Sequence, residues 1–160
     1  MSRAFVKELD AAPELPIFDR VISDAPNRVT PRGARLIEST VASLEKQLAE
    51  TNSPDASASI RRDLRYWYAR LASMQVMPPL LRPDVAGFGA RATIRWRSAL
   101  MDVTIVGEDE ANPSAGLIAW TAPLARALEG AKAGDAVELK VGGIPEQITV
   151  VGVASRRDEP

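Results

Sequence analysis

The chain contains no histidine and no cysteine. Thiol nucleophiles, disulfides, Cys/His zinc sites, imidazole acid–base catalysis and histidine triads are therefore excluded. Chemistry is left to carboxylates, Lys, Tyr, Ser and Thr, or to a metal held by oxygen. The carboxylates whose position stands out lie in "AETNSPDASASI", residues 49–60, where Glu50 and Asp55 flank a turn. By composition the stretch is a linker between two helical runs. Glu50 closes a solvated helix end, and Asp55 in a first turn complements the helix dipole. A second candidate is "RYWYAR", residues 65–70, which interleaves aromatics with arginine as single-strand nucleic-acid surfaces do. On an amphipathic helix Trp67 reads instead as packing, with Tyr66 and Tyr68 flanking it. Twenty Lys/Arg stand against 21 Asp/Glu, a net charge of -1. Duplex DNA binding by charge needs a clear cationic excess, so no direct sequence-specific nucleic-acid binding is expected.

These residues need elements to hold them. In "VTPRGARLIESTVASLEKQLAE" Thr30 can cap a helix whose first position is Pro31. Ile37, Val41, Leu44 and Leu48 then step by the alternating three and four of a coiled-coil seam. Ser53 and Pro54 repeat the start signal, followed by Ile60, Leu64, Trp67, Leu71 and Met74 in the same rhythm, with Pro78 and Pro79 expected to stop the helix. Two such helices with a short connection predict an antiparallel hairpin over residues 30–78, with arms roughly 25–35 Å long. Arg61, Arg62, Arg65 and Arg70 on the second helix face Glu38, Glu45 and Glu50 on the first in composition, so a solvated face with interhelical ion pairs is expected. Residues 1–29 carry three prolines and no period, and read as an extended arm whose Phe5, Val6, Ile17, Phe18, Val21 and Ile22 pack on the chain or on a partner.

From residue 80 the period changes to two. "ARATIRW", "MDVTIVG", "GLIAW", "DAVELKV" and "EQITVVGVA" predict five strands, with one short helix in "TAPLARALEGAKAGD" capped by Thr121, and a hairpin turn at "VGGIPE". The class is α+β: a helical hairpin followed by an antiparallel sheet domain over 80–155. The two are joined by "QVMPPLLRPDVAGFG", whose prolines make a stiff link. No apolar run is long enough to span a bilayer, and the N-terminus lacks an apolar signal core, so a cytoplasmic location is expected.

"VAGFGARATIR" and "VTIVGEDEANPSAGLIAWTAPLARALEGAKAGDAVEL" resemble the C-terminal domain of the GreA/GreB family of bacterial transcription elongation factors over residues 85–155. The most specific pieces are the "VGEDEA" turn, the "PLARAL" helix and the "GAKAGD" exit, and "VTPRG" resembles the family's first helix start. The resemblance implies an FKBP-like fold that docks on bacterial RNA polymerase at its secondary channel, and a coiled coil that enters the channel. It implies a docking helix at Pro123, Leu124, Ala125 and Arg126, with Ala122 where a Ser is common in the family. It also implies an accessory factor rather than an enzyme, with no cofactor of its own. Any Mg²⁺ would be shared with the polymerase active site through tip residues Glu50 and Asp55. The family's acidic tip signature, of the type G-D-x-S-E-N-A-E-Y, is absent here, which sets cleavage stimulation in doubt. A shortened, signature-free coiled coil also resembles Rnk-like regulators of nucleoside diphosphate kinase. The FKBP-like fold alone suggests a peptidyl-prolyl isomerase, but that chemistry needs an aromatic-lined pocket, and Phe88, Trp96 and Trp120 read more simply as core or interface.

Overall fold

The computed structural model describes residues 19–156; the first 18 residues, with Phe5, Val6, Ile17 and Phe18 of the expected arm, lie outside that range. Two helices, α1 (Pro31–Glu50) and α2 (Pro54–Ser73), form the hairpin, joined by three residues. Both begin as their sequences require. The Thr30 hydroxyl accepts from the Gly33 N–H at 2.9 Å, and the Ser53 hydroxyl accepts from the Ala56 N–H at 3.3 Å. Each places a proline at its first position. Twenty residues give each arm a length of about 30 Å.

The seam is uneven. Near the base, Val29, Ala34 and Ile37 are buried against Trp67, Leu71 and Met74. Val41 and Leu64 are the last buried pair, and beyond them Leu44, Leu48 and Ile60 are only half-buried. Two helices alone cover one side of each other, so a buried core forms only where a third element lies against them.

That third element is the end of the arm. A strand β1 (Arg28–Val29) pairs in parallel with β2 (Gln75–Val76), and the Gln75 and Met77 N–H groups donate to the carbonyls of Asn27 and Val29. Helix α2 therefore stops at Ser73, five residues before Pro78, because Met74 turns into the extended pair. Before β1 the described part of the arm packs through its charges rather than through Val21. Asp19 meets Arg65 at 2.8 Å and Arg20 lies 3.8 Å over the Tyr66 ring, while Val21 is 90% exposed. The expected interhelical ion pairs are replaced: among the described residues Arg62 and Arg65 reach Asp19, and Arg70 turns to the sheet domain. The polar contact across the hairpin is the Tyr68 hydroxyl donating to Glu45 at 2.7 Å.

The sheet has five strands in the order β5-β4-β3-β7-β6. They are β3 (Ala90–Trp96), β4 (Ala99–Val106), β5 (Leu117–Ala119), β6 (Ala136–Val141) and β7 (Ile144–Ser155). Alternation on β3 buries Ala90, Ala92 and Ile94, and the last two meet Ile105, Ile148, Val150 and Leu128 of the short helix α3 (Pro123–Leu128). Gly142 and Gly143 have φ of 58° and 83°, the left-handed pair that the tight β6–β7 turn demands. The bulge opposite Thr93/Ile94 leaves Val151 outside the ladder, which is why it faces solvent.

The sheet is mostly antiparallel, as expected, and the exception lies at one edge, where β5 runs parallel to β4. A parallel neighbour cannot be reached by a tight turn, so residues 107–116 cross over through two single-turn helices, Glu108–Glu110 and Pro113–Ala115. Among the described residues no helix is long and apolar enough to cross a membrane.

Candidate functional site

The crossover after β4 carries three consecutive acids, Glu108, Asp109 and Glu110, to the base of the hairpin. Each finds a different partner. Asp109 accepts from the Tyr66 hydroxyl and from Arg70 Nε, both at 2.5 Å. Glu110 accepts from the Thr30 hydroxyl at 2.5 Å and from Arg156 at 2.6 Å. Glu108 accepts from the Thr121 hydroxyl at 3.0 Å and lies 3.5 Å from Arg70 Nη2. Arg70 is only 2% exposed, so its charge is out of water and needs these carboxylates. Burial, reinforced by the bond to Asp109, pushes the Tyr66 hydroxyl up to about 12. The Asn27 amide closes the cluster by donating to the Arg70 carbonyl at 2.8 Å.

Two glycines make this approach possible. A Cβ at Gly33 would sit 2.9 Å from Glu110 Oε2, and one at Gly107 would sit 2.6 Å from the Arg28 carbonyl. The "VTPRG" and "VGEDEA" motifs are therefore two halves of one joint, with glycine where backbone and carboxylate must come close. Sequence reading quoted both motifs without seeing that they touch. The available signal was the charge pattern: three acids directly after a buried strand need cations, and Arg70 lies beside the apolar seam of α2.

The joint fixes two surfaces. The first is α3. Thr121 sits one residue too early to cap it: Ala122 holds the cap position, and the Thr121 hydroxyl goes to Glu108 instead. Pro123 and Arg126 are exposed, Leu124 is half-buried, and Ala125 is 2% exposed with its methyl in the sheet core. Of the four proposed docking residues, Ala125 is thus a packing residue, because a six-residue helix must turn one face inward. Arg126 makes no ion pair among the described residues.

The second surface is the hairpin tip. Glu50 ends α1 and is 3.8 Å from Lys46; Asp55 lies in the first turn of α2; both are exposed. Among the described residues no group of three or more potential ligands is arranged to hold a metal. Two exposed carboxylates do not fit a Mg²⁺ site of the chain's own, since that ion demands near-octahedral oxygen coordination. The aromatic residues also have structural partners: Trp96 donates its indole N–H to Glu146, and Arg28 stacks 4.7 Å over Trp120.

Comparison with known proteins bears on the sheet domain. Residues 81–155 match the sequence profile of the family described as "Transcription elongation factor, GreA/GreB, C-term". The transcription elongation factor GreA of Trichlorobacter lovleyi is 36% identical over 75 residues, 46% of this chain and 48% of that protein. GreB of Neisseria meningitidis is 36% identical over 97 residues, 59% of this chain and 60% of that protein. The chain spans about half the length of the curated relatives it matches. The solved GreA/GreB factor of Nitrosomonas europaea is 24% identical, covering 81% of this chain and 98% of that one, with a TM-score of 0.39. That score is too low to bear on how hairpin and sheet are placed.

Proposed function

We propose, from the match of residues 81–155 to the GreA/GreB C-terminal domain family, that the chain is a Gre-like factor that binds bacterial RNA polymerase at its secondary channel and modulates elongation. In this reading α3 docks through Pro123, Leu124 and Arg126, and the hairpin projects into the channel. The chain is an accessory factor in the cytoplasm rather than an enzyme.

The observation that carries this reading is the buried joint. A domain of this family is tied to the hairpin by ion pairs and hydrogen bonds from all three crossover acids. A probe that must reach into a channel needs a fixed angle at its base, and such buried, mutually satisfied polar contacts specify one arrangement. No cleavage step is assigned to the tip. Glu50 and Asp55 stand without a third ligand, and any Mg²⁺ they touched would be the polymerase's own.

No observation favours the Rnk-like reading. The isomerase reading requires an aromatic-lined pocket; the groove beside α1 has Phe88 as its one aromatic and three arginines on its walls, and the cavity that holds both Phe88 and Trp120 measures only about 10 Å³.

Capture of core RNA polymerase by the tagged chain tests the proposal. Wild type retains the polymerase, and Arg126→Glu weakens retention at least tenfold. Absence of binding, or binding indifferent to Arg126→Glu, overturns the docking model.

A further inference from the structure

A groove of about 100 Å³ opens between the base of α1 and the connector, beside the joint. One wall is apolar: Met77, Pro79, Leu80 and Phe88. The other carries Arg32 and Arg35, three apart on the same face of α1. We infer that this groove takes an apolar side chain flanked by a carboxylate, presented by an acidic segment of RNA polymerase, as a second contact separate from α3. The inference rests on the proposed function for the identity of the partner.

Size decides against a small-molecule ligand. Sites for such ligands run to roughly 300–1,000 Å³. A dry apolar cavity of about 150 Å³ holds benzene, so this groove suits one side chain.

Charge decides the flank. Among the described residues no acid lines the groove, and Arg32 and Arg35 are exposed and make no ion pair. The third arginine on the wall, Arg156, is already neutralised by Glu110 at 2.6 Å. The N-terminus of α1 already faces the Glu110 carboxylate through Thr30, so the charge left for a partner is that of Arg32 and Arg35. An acidic partner gains from both, and the guanidinium groups offer the fork that carboxylates fit.

Position decides the partner. Phe88 also lines the small cavity in front of α3, together with Trp120 and Ala125. Through Phe88 the groove adjoins α3 on the side of its packed residue Ala125. Its apolar rim is built by Pro78 and Pro79, whose fixed φ means little conformational entropy is lost when a partner seats there.

The test compares polymerase binding by wild type, the double variant Arg32→Glu/Arg35→Glu, and Arg126→Glu, at two salt concentrations, with a photo-crosslinker at Leu80 in the wild-type background. Both positions are exposed, so the double variant keeps its fold, checked by circular dichroism. The expected result is at least a tenfold loss of affinity for the double variant, a shallower salt dependence, and a Leu80 crosslink to a polymerase peptide with Asp or Glu beside an apolar residue. Wild-type affinity in the double variant, while Arg126→Glu still weakens binding, overturns the groove contact and leaves the docking reading standing. A crosslinked peptide without carboxylates overturns it as well. Binding of single-stranded RNA by the free wild-type protein, lost in the double variant, reassigns the groove to nucleic acid and also overturns it. If no form binds polymerase, the proposed function itself falls.

Discussion

The base and the tip of the hairpin carry acids in opposite ways. At the base Asp109 and Glu110 are buried, each shared by two donors, and Glu108 bridges Thr121 and Arg70. At the tip Glu50 and Asp55 are exposed, and the neighbour of Glu50 is a lysine of its own helix whose ammonium is itself largely in water. Exposed pairs of that kind contribute little, because water screens them and the side chains lose freedom in meeting. The difference teaches where this chain spends its carboxylates. They tie the hairpin to the sheet domain at its base, and among the described residues no group of three or more gathers as ligands at its end.

The largest effect that separates the two regions is expected at Arg70. Arg70→Ala leaves Asp109 buried without its cation, and breaking a buried pair from one side costs about 3–5 kcal/mol. Urea denaturation should show it as a lower midpoint. A loss under about 1 kcal/mol would mean that the joint is wetter than its geometry shows.

Gly33→Ala comes next. Helix propensity alone favours Ala by about 1 kcal/mol. The added methyl meets Glu110 Oε2 at 2.9 Å, and Thr30 and Arg156 hold that carboxylate in place. A net loss of about 1–3 kcal/mol is expected, as for other overpacked sites. Stabilisation by this substitution would show that the contact yields.

Tyr66→Phe removes one donor from Asp109 and should cost about 1–2 kcal/mol. It also carries a pH signature. Unfolded, the hydroxyl ionises near its ordinary 10.0; folded, burial first and the Asp109 bond second hold it protonated to about 12. Between those values the unfolded chain has released the proton and the folded chain has not, so stability falls as pH rises from 10 to 12. The contribution is whole below pH 10. In Tyr66→Phe that part of the slope should disappear from the denaturation profile.

The smallest effect belongs to the tip. Glu50→Ala/Asp55→Ala should change stability by no more than about 0.5 kcal/mol, within the range of exposed substitutions. A larger change, read from the same urea midpoints, would reveal a contact that the exposed geometry lacks.

The sequence made the elements legible where local signals agree. Thr30 with Pro31 and Ser53 with Pro54 start helices for reasons internal to four residues, and Gly142–Gly143 makes its turn on the same local terms. Alternation placed all five strands. It could not place β5 parallel to β4, since alternation carries no direction. The β1–β2 pair was hidden because two-residue strands have no period, and α2 yielded its last turn to a pairing 47 residues away. Helix α3 was legible as a motif, while the inward turn of Ala125 needed the sheet beneath it. Arg70, Tyr66 and the three crossover acids were visible as charges and aromatics. Their meeting depends on the crossover, so no local window contains it.

The central claim is that a firmly set hairpin ends in a tip without cleavage chemistry. It is tested most directly on stalled, backtracked elongation complexes given the wild-type chain or the Glu50→Ala/Asp55→Ala variant, with bound factor and released RNA measured together. The account predicts that both bind and that neither releases short 3′ RNA above the rate of the polymerase alone. Release by wild type that the double variant loses would contradict it, and would make Glu50 and Asp55 working ligands of the polymerase metal.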